Sequence, residues 1–373
     1  MKKALIVDWF DKYGGAERVI GKFEKIFSFD KTYTLVNIME KEYLLKIYPK
    51  KTEVIKETFL KYFKKKFRLF FFTFHCIIRT IKIDKDVELI ISSSHAVAKG
   101  IKKSNPNQLH ISYFQARNFN YIWSDFELYF GKFRFFIYPL ILILRKIDIQ
   151  QSVNPDFIIC NSIFVKDWVK KVYKRNSDVI YPPVDLKNFN LETEKEDYYI
   201  CVGRLVYVKR FDIAIRAFNK LNKKLIIIGD GDQADVLKKI ASKNIIFKGF
   251  LDSTEVSNYI KNAKGFIQTG VEGFGIAPIE AQACGTPVIA FAQGGVLETV
   301  INNKTGIFFN EQSESSLLEA LEKFKNITFN PIEIRENALK FSSERFEYEI
   351  KSYIDKKWSE HQKNIPQSKN VIN

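Results

Sequence analysis

Short runs of β-branched and aliphatic residues recur along the chain, separated by stretches whose apolar positions repeat every three or four residues. In the first half the runs are Leu5–Val7, Thr32–Val36, Leu89–Ile91, His110–Tyr113, Phe157–Cys160 and Val179–Tyr181. In the second they are Tyr199–Val202, Leu225–Ile228, Ile245–Phe247, Phe266–Ile267 and Val288–Ala290. Runs of this length, bounded by glycine or polar turns, suit strands covered on both faces. Their alternation with amphipathic helical stretches predicts parallel sheets in an α/β fold.

A length of 373 residues suggests two such doubly wound modules. Pro182-Pro183-Val184-Asp185 can continue neither a ladder nor a helix, so it marks the connection between them. The polar end from His361 to Asn373 is expected to fray. Two modules on a short hinge would set the carboxyl ends of both strand sets around one cleft, and ligands of such folds bind outside those ends. The chemistry is therefore sought in loops that follow strands.

Hydrophobic residues at 46% and charged residues at 27% exclude a disordered tail, a collagen-like fibre and a disulfide-stapled miniprotein. The four cysteines (Cys76, Cys160, Cys201, Cys284) lie far apart with no CxxC pair, and read as reduced, mostly buried thiols. With His75, His95, His110 and His361 as the only histidines, no zinc site is expected. The N-terminus is too short in apolar residues for a signal peptide and reads as a first strand. The longest uncharged apolar run, Phe135–Leu144, is interrupted by Pro139. It reaches about half of the ~20 residues a spanning helix needs.

Net charge is +16, and its placement is uneven. Residues 1–180 carry 33 basic and 18 acidic side chains, whereas residues 181–373 carry 26 and 25. The two halves are thus expected to face different partners.

Four loops follow strands and carry chemistry. Gly14-Gly15, ahead of an amphipathic helix, would let the backbone approach a phosphate at the helix N-terminus, or would simply make a tight turn. Gly203, Arg204 and Lys209 follow the strand ending at Val202. Two cations there suit a pyrophosphate that needs neutralising without a metal, or are ordinary surface charges. Gly229-Asp230-Gly231 reads as a plain turn. In Glu272-Gly273-Phe274-Gly275-Ile276-Ala277-Pro278-Ile279-Glu280, Pro278 predicts a helix starting near Ala277 with Glu280 in its first turn. The Gly-Phe-Gly backbone can donate to an anion there, while Glu272 and Glu280 suit bidentate bonds to vicinal hydroxyls, or helix capping.

These residues resemble the retaining GT-B glycosyltransferases of the family 4 type, most of all the bacterial mannosyltransferases of O-antigen, lipopolysaccharide and exopolysaccharide synthesis. The likeness rests on Glu272…Glu280, Gly203-Arg204…Lys209, Ile180–Asp185 and Gly294–Val300, with Gly14–Val19 and Ser92–Gly100 in the first half. It implies an α/β fold of GT-B type, two Rossmann-like domains facing a central cleft. Residues 1–181 would bind the acceptor and 182–345 the nucleotide-sugar, with 346–373 a helix returning to the first domain. It implies that Arg204 and Lys209 hold the donor diphosphate, that Glu280 binds the ribose and Glu272 the transferred sugar, and that Gly273, Phe274, Gly275 and Ile276 contact sugar and phosphate by their backbone. Gly15 would close on the diphosphate from the other domain.

The implied reaction is retaining transfer of a hexose, mannose from GDP-mannose with a UDP-sugar as alternative, onto a lipid-linked saccharide, with no cofactor and no metal. Relatives commonly carry a histidine in the loop after the strand Leu109–Tyr113, where Ala116 stands here. Gln115, Arg117 and His95 are then the candidate acceptor-side residues, His95 being equally readable as a structural histidine at a strand end. Loss of activity with retained donor binding is the matching alternative.

From Val54 to Lys82 eight basic side chains face one acid, Glu57, and Phe59, Phe63, Phe67 and Phe70 follow helical spacing. Such a stretch suits anionic lipid headgroups at the cytoplasmic side of the membrane, or a helix whose Phe stripe packs on the core beneath solvated lysines. Nucleic acid is not an expected partner, because no zinc finger, RNP or KH pattern is present. A glycosidase using Glu272 and Glu280 would leave the cation loop without a role.

Overall fold

A computed structural model describes residues 1–49, 55–123, 126–131 and 134–364. Val54 and residues 365–373 of the expected lipid-binding stretch and frayed end therefore lie outside the described residues. The chain divides into two compact units, Met1–Tyr181 with the chain from Glu347 onward, and Pro182–Phe346.

The first unit holds a seven-stranded sheet. Its strands are β1 (Lys2–Val7), β2 (Lys31–Thr34), β3 (Ile55–Glu57), β4 (Val87–Ser94), β5 (Leu109–Phe114), β6 (Phe157–Cys160) and β7 (Asp178–Val179), in the order β3-β2-β1-β4-β5-β6-β7. The second unit holds β8 (Glu196–Val202), β9 (Lys224–Ile228), β10 (Ile245–Gly249), β11 (Ala263–Gln268), β12 (Val288–Phe291) and β13 (Gly306–Phe309), ordered β10-β9-β8-β11-β12-β13. The pairings between these strands are parallel. Leu5 pairs Thr32 on one side and Ile91 on the other, and Ile200 pairs both Ile226 and Phe266. The central strands are buried on both faces, which is why they read as unbroken apolar runs rather than alternating ones.

Two edge strands escape that signal. β3 offers a single apolar residue among Ile55-Lys56-Glu57. β13 opens on Gly306, where a Cβ would lie 2.1 Å from the Val288 carbonyl oxygen. Only glycine permits that approach, and the strand loses its β-branched signature at the first position.

Residues Phe59–Thr73 correct the expected helical Phe stripe. They form 3₁₀ turns broken at Lys64, whose φ is +44°. Three residues per turn does not keep i and i+4 on one face. Phe67 and Phe74 are buried against Trp9, at ring distances of 5.7 Å each, while Phe59 and Phe63 are exposed. The stretch thus divides, half to core and half to surface. The expected fraying from His361 is also corrected, since the helix Ser343–Asn364 includes it and His361 Nε2 lies 2.8 Å from the Asn107 carbonyl oxygen. Cys160, Cys201 and Cys284 are buried and Cys76 is exposed. Among the described residues no helix is long and apolar enough to cross a membrane.

One buried charge pair ties the first unit together. Asp148, on the helix Arg134–Gln151, accepts hydrogen bonds from Lys99 Nζ at 2.6 Å, Trp123 Nε1 at 2.8 Å and Tyr173 hydroxyl at 2.6 Å. Lys99 also donates to the Ala96 carbonyl at 2.8 Å. Both charges are fully buried. His75 lies 3.8 Å from Asp148, and burial pushes its imidazole down, so it stays neutral beside the pair. Removing one partner of such a pair leaves a bare buried charge. Asp148→Ala is expected to lower unfolding stability by about 3–5 kcal/mol, read from the denaturant midpoint. A loss below about 1 kcal/mol would show that the pair is dispensable.

Candidate functional site

Neighbouring parallel strands end on the same edge of their sheet, so the loops after β8, β9 and β11 meet there. The loop after β8 begins at Gly203, whose N–H donates to the Ile228 carbonyl at 3.0 Å. Gly229 and Gly231 form its seat. A Cβ on Gly229 would lie 1.9 Å from the Gly203 carbonyl oxygen, and one on Gly231 would lie 2.3 Å from that of Leu205. The Leu205 N–H in turn donates to the Asp230 carbonyl at 2.9 Å. Gly229-Asp230-Gly231 therefore positions the cation loop, a task beyond that of a plain turn.

The loop after β11 docks on the end of the same segment. Thr269 hydroxyl donates to the Lys209 carbonyl at 2.9 Å. A Cβ on Gly270 would come 2.7 Å from Lys209 Cα, so the two backbones touch only because glycine stands there. This contact brings Glu272 to Lys209, and their side chains form an ion pair. Gln268 Nε2 donates to the paired Glu272 oxygen at 2.8 Å and to the Gly270 carbonyl at 3.1 Å. Gln268 and Gly270 carry no motif that sequence reasoning could single out.

The Glu272 backbone is fixed from the other side. Gly295 N–H donates to its carbonyl at 3.0 Å, and Glu272 bridges Gly294 in parallel fashion. A Cβ on Gly295 would lie 2.4 Å from Phe274 Cα. The electrostatics of the carboxylate follow from this setting. Burial pushes Glu272 up, but the Lys209 charge and hydrogen bond, the Gln268 amide and the Arg204 charge outweigh it and hold the carboxyl below the ordinary glutamate range. Its side chain keeps 22% exposure, and Arg204 is exposed.

The helix Ile276–Ala283 starts after Gly275, whose φ is +94°. The start at Ile276 agrees with the expected start near Ala277, but Glu280 falls past the first turn, which holds no acid. Capping is thus not its task. Pro278 still sits within the first turn, where its missing N–H has no intrahelical partner to lose. Glu280 is buried, with 5% exposure, and Phe274 packs edge-on against Phe341 at 5.6 Å. The structure therefore joins Lys209 and Glu272 directly, places Arg204 within electrostatic reach, holds Gly273–Gly275 in the connecting loop and sets Ile276 at the start of the helix.

In the first unit the candidate residues also follow strands. Gly14 precedes the helix Gly15–Phe27, and its N–H donates to the Glu17 carboxylate at 2.9 Å. That is half of a capping box. His95 follows β4, and its Nδ1 lies 3.2 Å from Asp8, a fully buried carboxylate. The Asp8 oxygens also accept the N–H groups of His95, Ala96, Val97 and Ala98 at 2.6–3.0 Å. Asp8, the residue after β1, organises the whole His95 turn. Gln115 Nε2 donates to Ser93 hydroxyl at 3.0 Å, and its carbonyl accepts from Asn161 at 2.5 Å. The Arg117 guanidinium lies over Phe164 at 5.0 Å. Ala116 sits half-buried between them. Among the described residues no group of three or more His, Cys, Asp or Glu is arranged to hold a metal.

Residues 185–341, most of the second unit, match the family model described as glycosyl transferases group 1. The chain is similar to an uncharacterized glycosyltransferase of Methanocaldococcus jannaschii, 28% identical over 203 residues that cover 53% of this chain and 57% of the relative. It is also similar to a GDP-mannose-dependent alpha-(1-6)-phosphatidylinositol monomannoside mannosyltransferase of Mycolicibacterium smegmatis, 34% identical over 125 residues, 29% of this chain and 33% of the relative. The chain thus spans about a third to somewhat over half the length of these curated relatives. Among solved structures, Anabaena HepE in complex with UDP superposes with a TM-score of 0.68 at 16% identity, covering 95% of this chain and 100% of that one. The fold is that of the GT-B glycosyltransferases, built from two parallel-sheet, Rossmann-like units. The second unit carries the group 1 glycosyltransferase pattern.

Two measurements check this geometry. The Glu272 carboxyl should titrate below the ordinary value of about 4.3, followed by carboxyl-selective NMR, and Lys209→Met should raise it because burial then acts against weaker opposition. The sign for stability follows: the ion pair contributes fully above the unfolded pKa and is lost as pH falls through the folded one. Gly295→Ala should cost about 1–3 kcal/mol by overpacking against backbone, measured by chemical denaturation.

Proposed function

We propose that the chain is a glycosyltransferase that moves a hexose from a nucleoside diphosphate donor, with the second unit holding the donor. The observation that carries this reading is the pairing of Lys209 with Glu272, beside Arg204 and ahead of the helix Ile276–Ala283. Two cations face one carboxylate, so the loop keeps a surplus positive charge for an anionic ligand. Arg204 offers a forked contact and Lys209 a point charge to the diphosphate, and the first N–H groups of the helix add theirs. Glu272, held ionised, accepts hydrogen bonds from sugar hydroxyls, and Glu280 takes those of the ribose.

The reaction follows from where charge develops. The bond between the anomeric carbon and the diphosphate oxygen breaks, and the negative charge grows on the departing diphosphate. Arg204 and Lys209 stabilise it there without a metal ion or cofactor. The acceptor hydroxyl bonds to the anomeric carbon from the same face, and its proton goes to the departing phosphate oxygen. The product therefore retains the anomeric configuration.

For the sugar we infer mannose from GDP-mannose, the donor named for the similar mannosyltransferase of Mycolicibacterium smegmatis. A UDP-sugar is the second reading, favoured by the complex of HepE with UDP. The acceptor reading is a lipid-linked saccharide of bacterial surface polysaccharide synthesis (O-antigen, lipopolysaccharide or exopolysaccharide), bound by the first unit, with His95, Gln115 and Arg117 in its loops. The enzyme would work at the cytoplasmic face of the membrane, touching anionic lipid through the basic stretch that ends at Lys82.

A thermal-shift panel of GDP-, UDP- and ADP-sugars tests the donor. At 100 times its dissociation constant the true donor should add about 2.7 kcal/mol of stability. Arg204→Ala and Glu272→Ala should each lower sugar transfer by about a hundredfold or more, and a chelator should leave the rate unchanged. Wild-type rates in both variants would refute the reading. Donor binding without turnover on every acceptor would favour a binding protein that lost activity with the histidine replaced by Ala116.

A further inference from the structure

The helix Arg134–Gln151 is apolar on nearly every side. Its buried face is the row Ile141, Leu144, Asp148 and Gln151, which packs on the core of the first unit. The opposite face holds Phe135, Phe136, Tyr138, Leu142 and Ile143, all exposed, with Phe135 at 73% and Phe136 at 85%. No acidic residue occurs between Arg134 and Ile147. A helix that is hydrophobic all round is normally enclosed by protein or lipid, and a contiguous exposed patch of this kind marks an interaction site.

Ring contacts link this patch to the basic segment. Exposed Phe72 meets Phe71 at 5.7 Å, Phe71 meets Phe130 at 5.7 Å, Phe130 meets Phe126 at 5.4 Å, and Phe126 meets exposed Tyr138 at 6.1 Å. Along the segment Phe59–Thr73, Lys61, Lys64, Lys65 and Lys66 are exposed beside exposed Tyr62 and Leu69. Exposed aromatic and aliphatic side chains are thus linked to a row of lysines by ring contacts that pass beneath the surface at Phe126.

We propose that the helix Arg134–Gln151 lies in the plane of an anionic phospholipid bilayer, its Phe135–Ile143 face inserted among the acyl chains while Lys61 and Lys64–Lys66 contact the headgroups. Charge selects this occupant. Apolar rings with flanking lysines match the two layers of such an interface, acyl boundary and negative headgroup. A second copy of the chain is disfavoured because an isologous contact would bring the same lysines together. This goes beyond the membrane contact proposed above, which lies on the basic stretch alone, and it does not require the donor reading to hold.

The test is co-sedimentation of the full chain with phosphatidylcholine vesicles, with and without phosphatidylglycerol. Three proteins are compared: wild type, Phe135→Ser/Phe136→Ser/Ile143→Ser, and Lys64→Ala/Lys65→Ala/Lys66→Ala. Unfolding midpoints and sugar-nucleotide thermal shifts equal to wild type establish that both variants fold. Wild type should bind only the anionic vesicles. The apolar variant should lose about tenfold or more in affinity at every salt concentration. The lysine variant should lose about a hundredfold at low salt, and less as salt rises. Unchanged binding by the apolar variant, equal binding to neutral vesicles, or no vesicle binding would each overturn the proposal. So would a wild-type dimer, seen by sedimentation velocity, that the apolar substitutions dissolve.

Discussion

The ion pair between Lys209 and Glu272 is the contact on which the proposed donor site of the second unit depends. It joins two loops that leave different strands, β8 and β11, and that each anchor one apolar residue on the core, Leu205 and Val271. What brings the two together is backbone approach. Gly270 lets the later loop lie against Lys209, and Gly229 and Gly231 let the earlier loop lie against its neighbour. Gly295 then clamps the Glu272 backbone from the far side. A methyl group at any of these positions meets backbone atoms, which cannot swing away as a side chain can. The charge constellation is therefore as rigid as the sheet edge that carries it.

That rigidity has a chemical consequence. A carboxylate placed beside two cations is held ionised despite burial, and remains an acceptor of hydrogen bonds across the neutral pH range. The cations keep a net positive charge after the pairing. A diphosphate and a polyhydroxyl group are ligands that use both halves of such a site. The first unit shows the same economy in another form, with Asp8 collecting four backbone N–H groups and so shaping the turn that bears His95.

The sheets were legible in the sequence because strands covered on both faces must be apolar throughout. Ile226-Ile227-Ile228 is the plainest case. The cation loop and the two acids were legible as separate motifs, but not as partners. Nothing in the spacing from Lys209 to Glu272 tells that they touch, since the contact is made by glycines whose role is proximity rather than a turn. Edge strands such as β3 lack the buried pattern altogether. The Phe row at 59–70 misled because 3₁₀ geometry and the break at Lys64 divide it between core and surface. The exposed face of the helix Arg134–Gln151 was hidden for the opposite reason: apolar residues on both faces carry no amphipathic period.

The most direct measurement is a crystal structure of the protein with a nucleoside diphosphate sugar. The account predicts that Lys209 Nζ and Arg204 lie on diphosphate oxygens, that the Glu272 carboxylate accepts from hydroxyls of the sugar, and that Glu280 reaches the ribose. A diphosphate bound away from residues 203–209, with Lys209 and Glu272 still paired only to each other, would contradict it.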